Sequence, residues 1–510
     1  MKKESILTGA LILTLTGFIT RIIGFCYRIY MTKMIGSEGI GLYQLIMPVY
    51  LLAWTITSSG ITTTVSALTA KKAALKKYDE SIDILYCACM ITGALSIITG
   101  GIVFFFSPFI ATRFINDERA IYSLKIIALC FPFMSVGSSI RGFFYGMQNS
   151  SVPAISQITE QLVRVFTVIG IFSFFSPKGL SASCAVTAMG ITMGETISFI
   201  FTLTAFKKLK KELISHKYVH RPLKHFSSII SSALPLSSGR ILSSLLSTFE
   251  NMLIPQKLVA YGYTETNALS VYGKLTGMAM PVIQFPTAIL TSFSTALIPS
   301  ISARTDVKNN KYVKTTIERG ILFSSVAGFW AFTVFIFLPK QAAFLLYDQS
   351  SLGVFIIKLA PLCPLIYTQI ALAGILNGLG KQKVIFTNNI LSSVINLLFI
   401  EFLMKKIGIN AFIAGMFTSL LSVCIISLFV IARSASVKTD IKNCIVKPIV
   451  CSILSGILIR LTSISESFEK IHIIINIITI SSAYLLLILI CKAIDFKDIK
   501  SLSPRIKKQG

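Results

Sequence analysis

The sequence predicts an all-α integral membrane protein with about 14 transmembrane helices, arranged as two pseudo-symmetric six-helix lobes followed by two further helices. Three observations carry this prediction. Of the 510 residues, 54% are hydrophobic and only 14% are charged, and the mean hydropathy is +0.76, far more apolar than a soluble domain. Apolar runs of helix-spanning length recur along the whole chain. Two segments that lie 232 residues apart resemble each other.

Each apolar run is long enough to cross a bilayer as a helix, because about 20 residues span a hydrocarbon core of about 30 Å. The connections between the runs are too short to form a soluble domain. The runs cover approximately residues 6–32, 42–69, 82–107, 121–147, 153–174, 183–206, 227–255, 270–301, 317–338, 352–378, 384–404, 410–432, 446–462 and 471–491.

The basic residues indicate how the chain is oriented in the membrane. The formal net charge is +27, but the cations lie in short loops between spans, where the positive-inside rule applies, so they do not indicate nucleic acid. With a cytoplasmic N-terminus, the inner segments carry 29 Lys and Arg and the outer loops carry nine. We therefore predict a multi-pass protein of the cell membrane with both termini in the cytoplasm. Lys405 and Lys406, in an outer loop, are the one local exception.

An internal repeat predicts the two lobes. RGFFYGMQNSSVPAI at 141–155 aligns with AGILNGLGKQKVIF at 373–386, and the tripeptide MPV begins at Met47 and again at Met280. Six spans per lobe preserve orientation, so an axis along the membrane normal would relate the lobes. The alternative is chance similarity between glycine-rich helix ends. The predicted regions are a first lobe at 1–206, a basic cytoplasmic linker at 207–226, a second lobe at 227–432, and two final spans with a basic cytoplasmic tail at 433–510.

Two arginines interrupt the first apolar run, although a charge at the bilayer centre costs roughly 2.5 to 3.5 kcal/mol. Arg21 and Arg28 are two helical turns apart, and Gly17 and Gly24 share their helix face. Glycine permits close approach of a helix or a ligand, and the arginine fork binds phosphate in a bidentate manner. We interpret this stripe as cavity-facing, with the arginines as candidate substrate-binding residues and the glycines as candidate packing residues.

Alternatives remain open for these arginines. Arg28 lies near the end of its run, and its long side chain could reach the outer membrane interface instead of a cavity. Arg21 lies near the middle of the run, and it could form a structural ion pair with Glu160 or Glu250. Glu160 could also pair locally with Arg164, which follows it by one turn in the fifth run.

Further ionisable residues and prolines lie inside the predicted spans. Cations outnumber acids in the leading helices of the two lobes, which favours an anionic substrate. Prolines break the helical hydrogen-bond ladder, so those in the spans are candidate hinges, although many prolines in membrane helices are merely accommodated. The substrate-binding candidates also include Arg164, Arg240 and Lys274, the candidates for ion coupling or charge pairing are Glu160, Glu195 and Glu250, and the candidate hinges are Pro48, Pro281 and Pro286.

The sequence contains no motif that indicates catalysis. The water-facing segments show no nucleophile elbow, phosphate loop, HExxH or paired-carboxylate signature. The ten cysteines lie almost wholly within apolar runs, as small core residues do, and the four histidines lie in or beside loops. We therefore expect no metal site, no cofactor and no enzymatic activity.

Two stretches of the first lobe are typical of a known family. Residues 20–68, with Arg21, the pair Gly24-Phe25 and the turn IGSEGIGLYQ, and residues 141–165, RGFFYGMQNSSVPAISQITEQLVRV, resemble the stage V sporulation protein B group. This group belongs to the multidrug/oligosaccharidyl-lipid/polysaccharide (MOP) exporter superfamily and is related to the lipid II flippase MurJ. The resemblance implies a flippase whose first-helix arginines receive a substrate pyrophosphate. Arg21 matches that position, whereas Arg28 is one residue out of step and the second span, LLAWTITSSG, lacks an expected cation.

The residues and the resemblance leave three hypotheses for the function. The first is a flippase that moves an undecaprenyl-pyrophosphate-linked precursor, lipid II or a related polysaccharide intermediate, by alternating access, with use in spore cortex peptidoglycan synthesis. It implies a lipid-linked oligosaccharide, the lipid bilayer, H⁺ or Na⁺ as a coupling ion, and cell-wall synthesis enzymes as partners of a monomeric protein. The second is a cation-coupled multidrug exporter, which the embedded arginines disfavour. The third is a non-transporting membrane scaffold for wall-synthesis enzymes.

Overall fold

The computed structural model describes residues 6–175, 177–213, 220–302, 311–437, 440–461 and 469–493. Within these ranges the chain is almost entirely helical and has no β-strand, as expected for apolar segments that must satisfy all backbone hydrogen bonds internally in hydrocarbon. The helices sort into two compact units, Met1–Gly273 and Lys274–Gly510. The basic segments at 214–219, 303–310 and 494–510, which belong to the predicted linker, an inner loop and the tail, lie outside the described residues.

The first unit consists mainly of long helices. Two π-helical segments, Thr55–Ser59 and Ile110–Ile115, and two short 3₁₀ segments, Glu118–Ala120 and Pro222–His225, connect some of them. In the described part of this unit the α-helices are α1 (Ile6–Trp54), α2 (Gly60–Ala74), α3 (Tyr78–Phe105), α4 (Ser107–Phe109), α5 (Ile121–Gly146), α6 (Ser151–Phe175), α7 (Leu180–Leu213), α8 (Phe226–Tyr261) and α9 (Glu265–Tyr272).

The second unit begins within a π-helical segment, Gly273–Ala279, and it contains another at Lys442–Val446 and a 3₁₀ segment at Ser350–Leu352. Several of its helices are short because proline interrupts them. In the described part of this unit the α-helices are α10 (Met280–Gln284), α11 (Thr287–Ser302), α12 (Lys311–Phe337), α13 (Pro339–Tyr347), α14 (Gly353–Leu359), α15 (Leu362–Gly378), α16 (Gln382–Ile407), α17 (Ile409–Ala435), α18 (Lys447–Leu461) and α19 (Lys470–Ile490).

Helix α1 contains a sharp bend between two predicted spans. Its 49 residues would extend about 73 Å if the helix were straight, more than twice the thickness of the hydrocarbon core. The bend lies at Gly36, whose φ of 67° and ψ of −177° are not helical. Glycine adopts this conformation at little cost because it has no Cβ atom. The predicted spans at 6–32 and 42–69 therefore lie on opposite sides of the bend.

In the described residues, ten helices are long and apolar enough to cross a membrane, or twelve when two bent helix pairs are also counted. Proline lies at both bends, Pro286 in the first pair and Pro361 in the second, and its missing N–H group explains the break. The chain is therefore a multi-pass helical membrane protein, and the count of fourteen spans stays a prediction. The bent pairs join Glu265–Gln284 to Thr287–Ser302 at 58° and Ser350–Leu359 to Leu362–Gly378 at 55°.

Corresponding helix pairs in the two units make corresponding contacts. In the first unit, α5 packs on α2 at Gly142, where a Cβ atom would lie 2.7 Å from the carbonyl oxygen of Thr62. In the second unit, α15 packs on α11 at Gly374, where a Cβ atom would lie 2.7 Å from the carbonyl oxygen of Ser294. Both residues of the second contact follow those of the first by 232 positions, which is the shift of the predicted repeat.

A hydroxyl contact recurs in the two units at the same shift. The Oγ1 atom of Thr62 lies 2.7 Å from the Oγ atom of Ser138, and the Ser294 hydroxyl donates to the carbonyl oxygen of Ile370 at 2.7 Å. Each hydroxyl joins the same two helices as the neighbouring glycine contact. These contacts support a duplicated helical unit, and the boundaries of the predicted lobes stay a prediction.

The described end of the predicted linker is fixed against α3 by a buried carboxylate. Asp83 is only 1% exposed. Its Oδ1 atom lies 2.7 Å from His220 Nδ1, and its Oδ2 atom accepts a hydrogen bond from the backbone N–H of Arg221 at 3.0 Å. Burial of this carboxylate is tolerated because both of its oxygens have hydrogen-bond partners.

Candidate functional site

Four side chains form a charged cluster inside the first unit, and we name it the glutamate cluster: Tyr50 of α1, Glu160 and Arg164 of α6, and Glu195 of α7. Arg164 Nη2 donates to Glu160 Oε1 at 2.5 Å, and the Tyr50 hydroxyl donates to Glu195 Oε1 at 2.6 Å. Arg164 also interacts electrostatically with Tyr50 and Glu195. One hydrogen bond of the cluster therefore joins α1 to α7, the other lies within α6, and the charge of Arg164 connects α6 to the other two helices.

The glutamate cluster contains more carboxylates than cations. Glu195 is 4% exposed, and its Oε2 atom has no hydrogen-bond partner among the described residues. The Nε atom of Arg164 is likewise buried without a partner in the described part of the chain. A buried carboxylate that is not fully paired is costly in a low-dielectric interior. The arrangement can therefore accept a proton or a monovalent cation. No group of three or more His, Cys, Asp and Glu in the described residues could hold a metal ion.

Two glycines bring α7 close enough to α6 to form the glutamate cluster. At Gly194, a Cβ atom would lie 2.7 Å from the carbonyl oxygen of Glu160 and 3.4 Å from Arg164 Cβ. At Gly190, one turn earlier, it would lie 3.1 Å from the carbonyl oxygen of Arg164. Small residues four positions apart let membrane helices approach each other closely. The glycines therefore set the distance between the helices that carry the charges.

Arg28, from the predicted stripe, is half-buried and follows Tyr27 in the chain. Tyr27 is 8% exposed, and it interacts electrostatically with both Arg28 and Arg164. The Tyr27 hydroxyl is buried and has no hydrogen-bond partner among the described residues. Tyr27 therefore interacts electrostatically with two of the predicted substrate-binding arginines, one of which, Arg164, already pairs with Glu160.

The other positions of the predicted stripe have different surroundings. Gly24 faces α6, since a Cβ atom there would lie 3.3 Å from Gln161 Nε2. Gly17 lies in open space, with no described atom within 4 Å of a Cβ position. Arg21 is exposed on the surface of α1. A close helix contact is therefore present at Gly24, while Arg21 lies on an accessible face.

The remaining predicted charges lie on other elements. Arg240 of α8 donates from Nη1 to the carbonyl oxygen of Ser59 at 2.8 Å, at the end of the π-helical segment Thr55–Ser59, a feature that is frequent at functional sites. Glu250 is half-buried ten residues further along α8. Lys274 is half-buried and lies in the π-helical segment at the start of the second unit.

The predicted hinge prolines lie at or near irregular backbone. Pro48 is inside α1, seven residues before a π-helical segment begins at Thr55. Pro281 lies in the first turn of α10, and Pro286 lies between α10 and α11, where the axis bends by 58°. Prolines and π-bulges are the usual causes of sharp bends in helices. The hinge role of these prolines stays a prediction.

Sequence reasoning did not single out Tyr50, Tyr27, Gly190 or Gly194. For a tyrosine within an apolar run, the sequence pattern does not show whether the side chain binds a charged partner or packs in the core. The glycine pair does have a visible signal, because GxxxG within an apolar segment indicates a helix-packing face. That signal identifies which face of α7 packs against another helix, but it does not identify α6 as that helix.

Comparison with known proteins places the chain in a family. The polysaccharide biosynthesis protein family matches residues 6–305, which is more than half of the chain, and the MatE family matches residues 241–400. Stage V sporulation protein B of Bacillus subtilis (strain 168) is 28% identical over 98% of this chain and 98% of its own length. The lipid II flippase MurJ of the same organism is 22% identical over 90% of this chain and 88% of its own length.

A solved structure shares the fold. The lipid II flippase MurJ in an inward closed conformation has a TM-score of 0.71 and 16% sequence identity, over 96% of this chain and all of its own. The similarity expected from residues 20–68 and 141–165 is confirmed by the relatives and by the family match. The chain therefore belongs to the polysaccharide biosynthesis protein family of the MOP exporter superfamily.

Proposed function

We propose that this protein is a flippase that carries a lipid-linked cell-wall or polysaccharide precursor across the cytoplasmic membrane by alternating access. One observation carries the proposal: Arg21 and Arg28 lie within the first membrane helix of a chain whose near full-length relative is named a lipid II flippase. Embedded arginines usually face a cavity or a partner, and their forked donors match a pyrophosphate. The substrate class is an undecaprenyl-pyrophosphate-linked glycan, either lipid II or a related polysaccharide intermediate.

We assign the contact with the substrate pyrophosphate to Arg21 and Arg28. Arg21 is exposed on α1, and Arg28 lies two helical turns further on, directly after Tyr27, whose buried hydroxyl has no hydrogen-bond partner among the described residues. Arg164 is a weaker candidate because Glu160 already neutralises it. Arg240 and Lys274 are further candidate cations, although Arg240 already donates to a backbone carbonyl.

We assign ion coupling to the glutamate cluster, with H⁺ or Na⁺ as the coupling ion. Helix α1 carries both the substrate-binding arginines and Tyr50, which donates to Glu195. A proton or Na⁺ bound to Glu195 changes the charge of the carboxylate that accepts the Tyr50 hydrogen bond. The strength of the contact between α1 and α7 therefore depends on whether the ion is bound. This contact is made by the part of α1 that follows Gly36, and the bend connects that part to the one that carries Arg21 and Arg28. The transport cycle requires no chemical change in the substrate.

The similarity to stage V sporulation protein B supports use of the protein in spore cortex peptidoglycan synthesis. We further propose a monomeric transporter with both termini in the cytoplasm, as the distribution of Lys and Arg predicts. Enzymes that consume the translocated precursor would be its functional partners.

Reconstitution tests the proposal directly. The purified protein alone is placed in vesicles that contain fluorescent lipid II, and a membrane-impermeant reagent reports how much lipid II changes leaflet. We expect faster exchange than in protein-free vesicles. Equal exchange, with the protein shown to be inserted, would overturn the flippase and leave the scaffold hypothesis. Transport of an organic cation without lipid exchange would instead support the multidrug exporter.

A further inference from the structure

An apolar groove with a volume of about 380 Å³ lies on the surface of the second unit. One wall is a single face of α17, including Asn410, Ala414 and Phe417, and the other wall is formed where α14 meets α15, at Lys358 and Pro361. Phe417 is 40% exposed, and Pro361 is also exposed. The groove is therefore open toward the surroundings of the protein along its length.

The shape of the groove follows from a break in the helix opposite α17. The segments before and after Pro361 are bent by 55° relative to each other, because proline cannot continue the helical hydrogen-bond ladder. The bend prevents α14 from packing along the same line as α15 and leaves space beside α17. From Asn410 to Thr418 the groove extends about 12 Å along α17, which is deep enough to run from the membrane interface into the hydrocarbon.

One lysine lines the Asn410 end of the groove, and two more precede that end closely in the chain. Lys358 is exposed and donates from Nζ to Asn410 Oδ1 at 2.9 Å. Lys405 and Lys406 are exposed in the last turn of α16, and α16 is joined to α17 by a single residue, Gly408, with a φ of 59°. The tight connection keeps these two lysines within about one turn of the start of α17. Glu401, one turn before Lys405, offsets one of the three charges.

These cations are unusual for their side of the membrane. The positive-inside rule predicts that this end of α16 and α17 is outside, where cations are sparse, and Lys358 additionally lies within a predicted span. A lysine ammonium has three donor hydrogens, so Lys358 keeps donors available after its bond to Asn410. An apolar groove with cations at its interfacial end matches a ligand with an anionic head and a hydrocarbon chain.

We propose that this groove binds an acidic glycerophospholipid of the predicted outer leaflet, with its phosphate at Lys358, Lys405 and Lys406 and one chain along α17. The charge of the three lysines selects the anionic head, and the apolar wall accepts the chain. The site lies entirely within the second unit, so it is separate from the glutamate cluster and does not depend on the proposed flippase activity.

Native mass spectrometry of the full-length protein tests the proposal. The protein is titrated with phosphatidylglycerol or with phosphatidylcholine of the same chain length, and the bound lipids are counted. We expect selective retention of phosphatidylglycerol by the wild-type protein. The variant Lys358→Gln, Lys405→Gln, Lys406→Gln should bind it more weakly, by about fivefold for each lysine that contacts the head. Lys383→Gln, at the opposite end of α16, is the matched control and should bind as the wild type does.

Two further measurements distinguish the contribution of the lipid head group to binding from that of the acyl chain. Ala414→Phe narrows the groove while leaving all three lysines, and it should reduce phosphatidylglycerol binding in protein that remains monodisperse. Phe417→Ala, which removes part of the apolar wall without adding bulk, should also weaken phosphatidylglycerol binding and serves if Ala414→Phe does not fold. Glycerol phosphate, which has no chain, should not displace the lipid. Equal binding of both lipids by the wild type, or undiminished binding by the triple-lysine variant, would overturn the proposal.

Discussion

Tyr50 and Glu195 join α1 to α7 through one buried hydrogen bond of 2.6 Å. The residues are 145 positions apart in the chain, and the bond joins α7 to the part of α1 that follows the Gly36 bend, whereas Arg21 and Arg28 lie before that bend. Binding of a proton or Na⁺ to the glutamate cluster can therefore be transmitted to α1 through this contact.

Replacement of Tyr50 tests this connection. Tyr50→Phe keeps the ring and removes the donor, which leaves both Glu195 oxygens without a described partner. We expect the free energy of unfolding to fall by about 1 to 3 kcal/mol, measured by thermal or denaturant unfolding in detergent. We also expect transport to depend less on the ion gradient. Tyr122→Phe, at a tyrosine that is 66% exposed, is the control. Unchanged stability and unchanged gradient dependence in Tyr50→Phe would contradict the role of this bond.

The Glu160 and Arg164 pair is tested by removing one charge and then both. Glu160→Gln removes the carboxylate to which the Arg164 guanidinium donates inside the membrane, and we expect a loss of about 3 to 5 kcal/mol in stability. Adding Arg164→Gln removes the unpaired charge and should restore most of the folded yield, measured by size-exclusion chromatography. Recovery of transport together with stability would mean that the pair is structural. Recovery of stability alone would support a role in coupling.

The approach of α6 and α7 predicts opposite effects for two glycine substitutions. Gly194→Ala introduces a Cβ atom 2.7 Å from the carbonyl oxygen of Glu160, so the helices must move apart and stability should fall. Gly170→Ala on α6 meets no described atom within 4 Å, and it should be neutral or stabilise by up to about 1 kcal/mol because alanine favours helix. Thermal unfolding of both variants is the measurement. Equal effects of the two substitutions on stability would show that the close approach of α6 and α7 at Gly194 does not contribute to stability.

The corresponding glycine contacts predict similar sensitivity in the two units. Gly142→Ala and Gly374→Ala each place a Cβ atom 2.7 Å from a backbone carbonyl oxygen, so each should destabilise its helix pair by a comparable amount. The double variant should show nearly additive effects, because the contacts lie in different units and share no partner. Thermal unfolding measures all three. A large effect at one glycine and none at the other would argue against equivalent structural roles.

The assignment of Arg21 predicts a transport defect in a protein that still inserts. Arg21→Ala should lower lipid II exchange by at least about tenfold, since hydrogen bonds to charged groups contribute about 1.5 to 3 kcal/mol. Arg21→Lys should also be impaired, because lysine cannot make a bidentate contact with phosphate. Arg113→Ala, at an exposed arginine in a predicted outer loop, is the control. Normal exchange by well-expressed Arg21→Ala would remove Arg21 from the substrate site.

The local pairing of Glu160 with Arg164 was one of the alternatives visible in the sequence, because the spacing of four puts both side chains on one helix face. The partner of Glu195 was not visible, because Tyr50 is an ordinary member of an apolar run. Arg240 shows the same limit: its span was predictable, but its contact with the Ser59 carbonyl depends on a π-helical segment far away in the chain. Long-range partners of this kind depend on how helices pack.

The sequence by itself determined that this protein is a helical membrane protein, because long apolar runs can be accommodated in hydrocarbon only as helices whose backbone bonds are satisfied within each segment. It also determined the family, through residues along α1, α5 and α6. The tertiary structure alone decided which side chains of different helices meet. The carboxylate of Glu195 approaches the Glu160 and Arg164 pair because Gly194 lets α7 pack closely on α6, and such approaches depend on the packing of whole helix surfaces rather than on any local pattern.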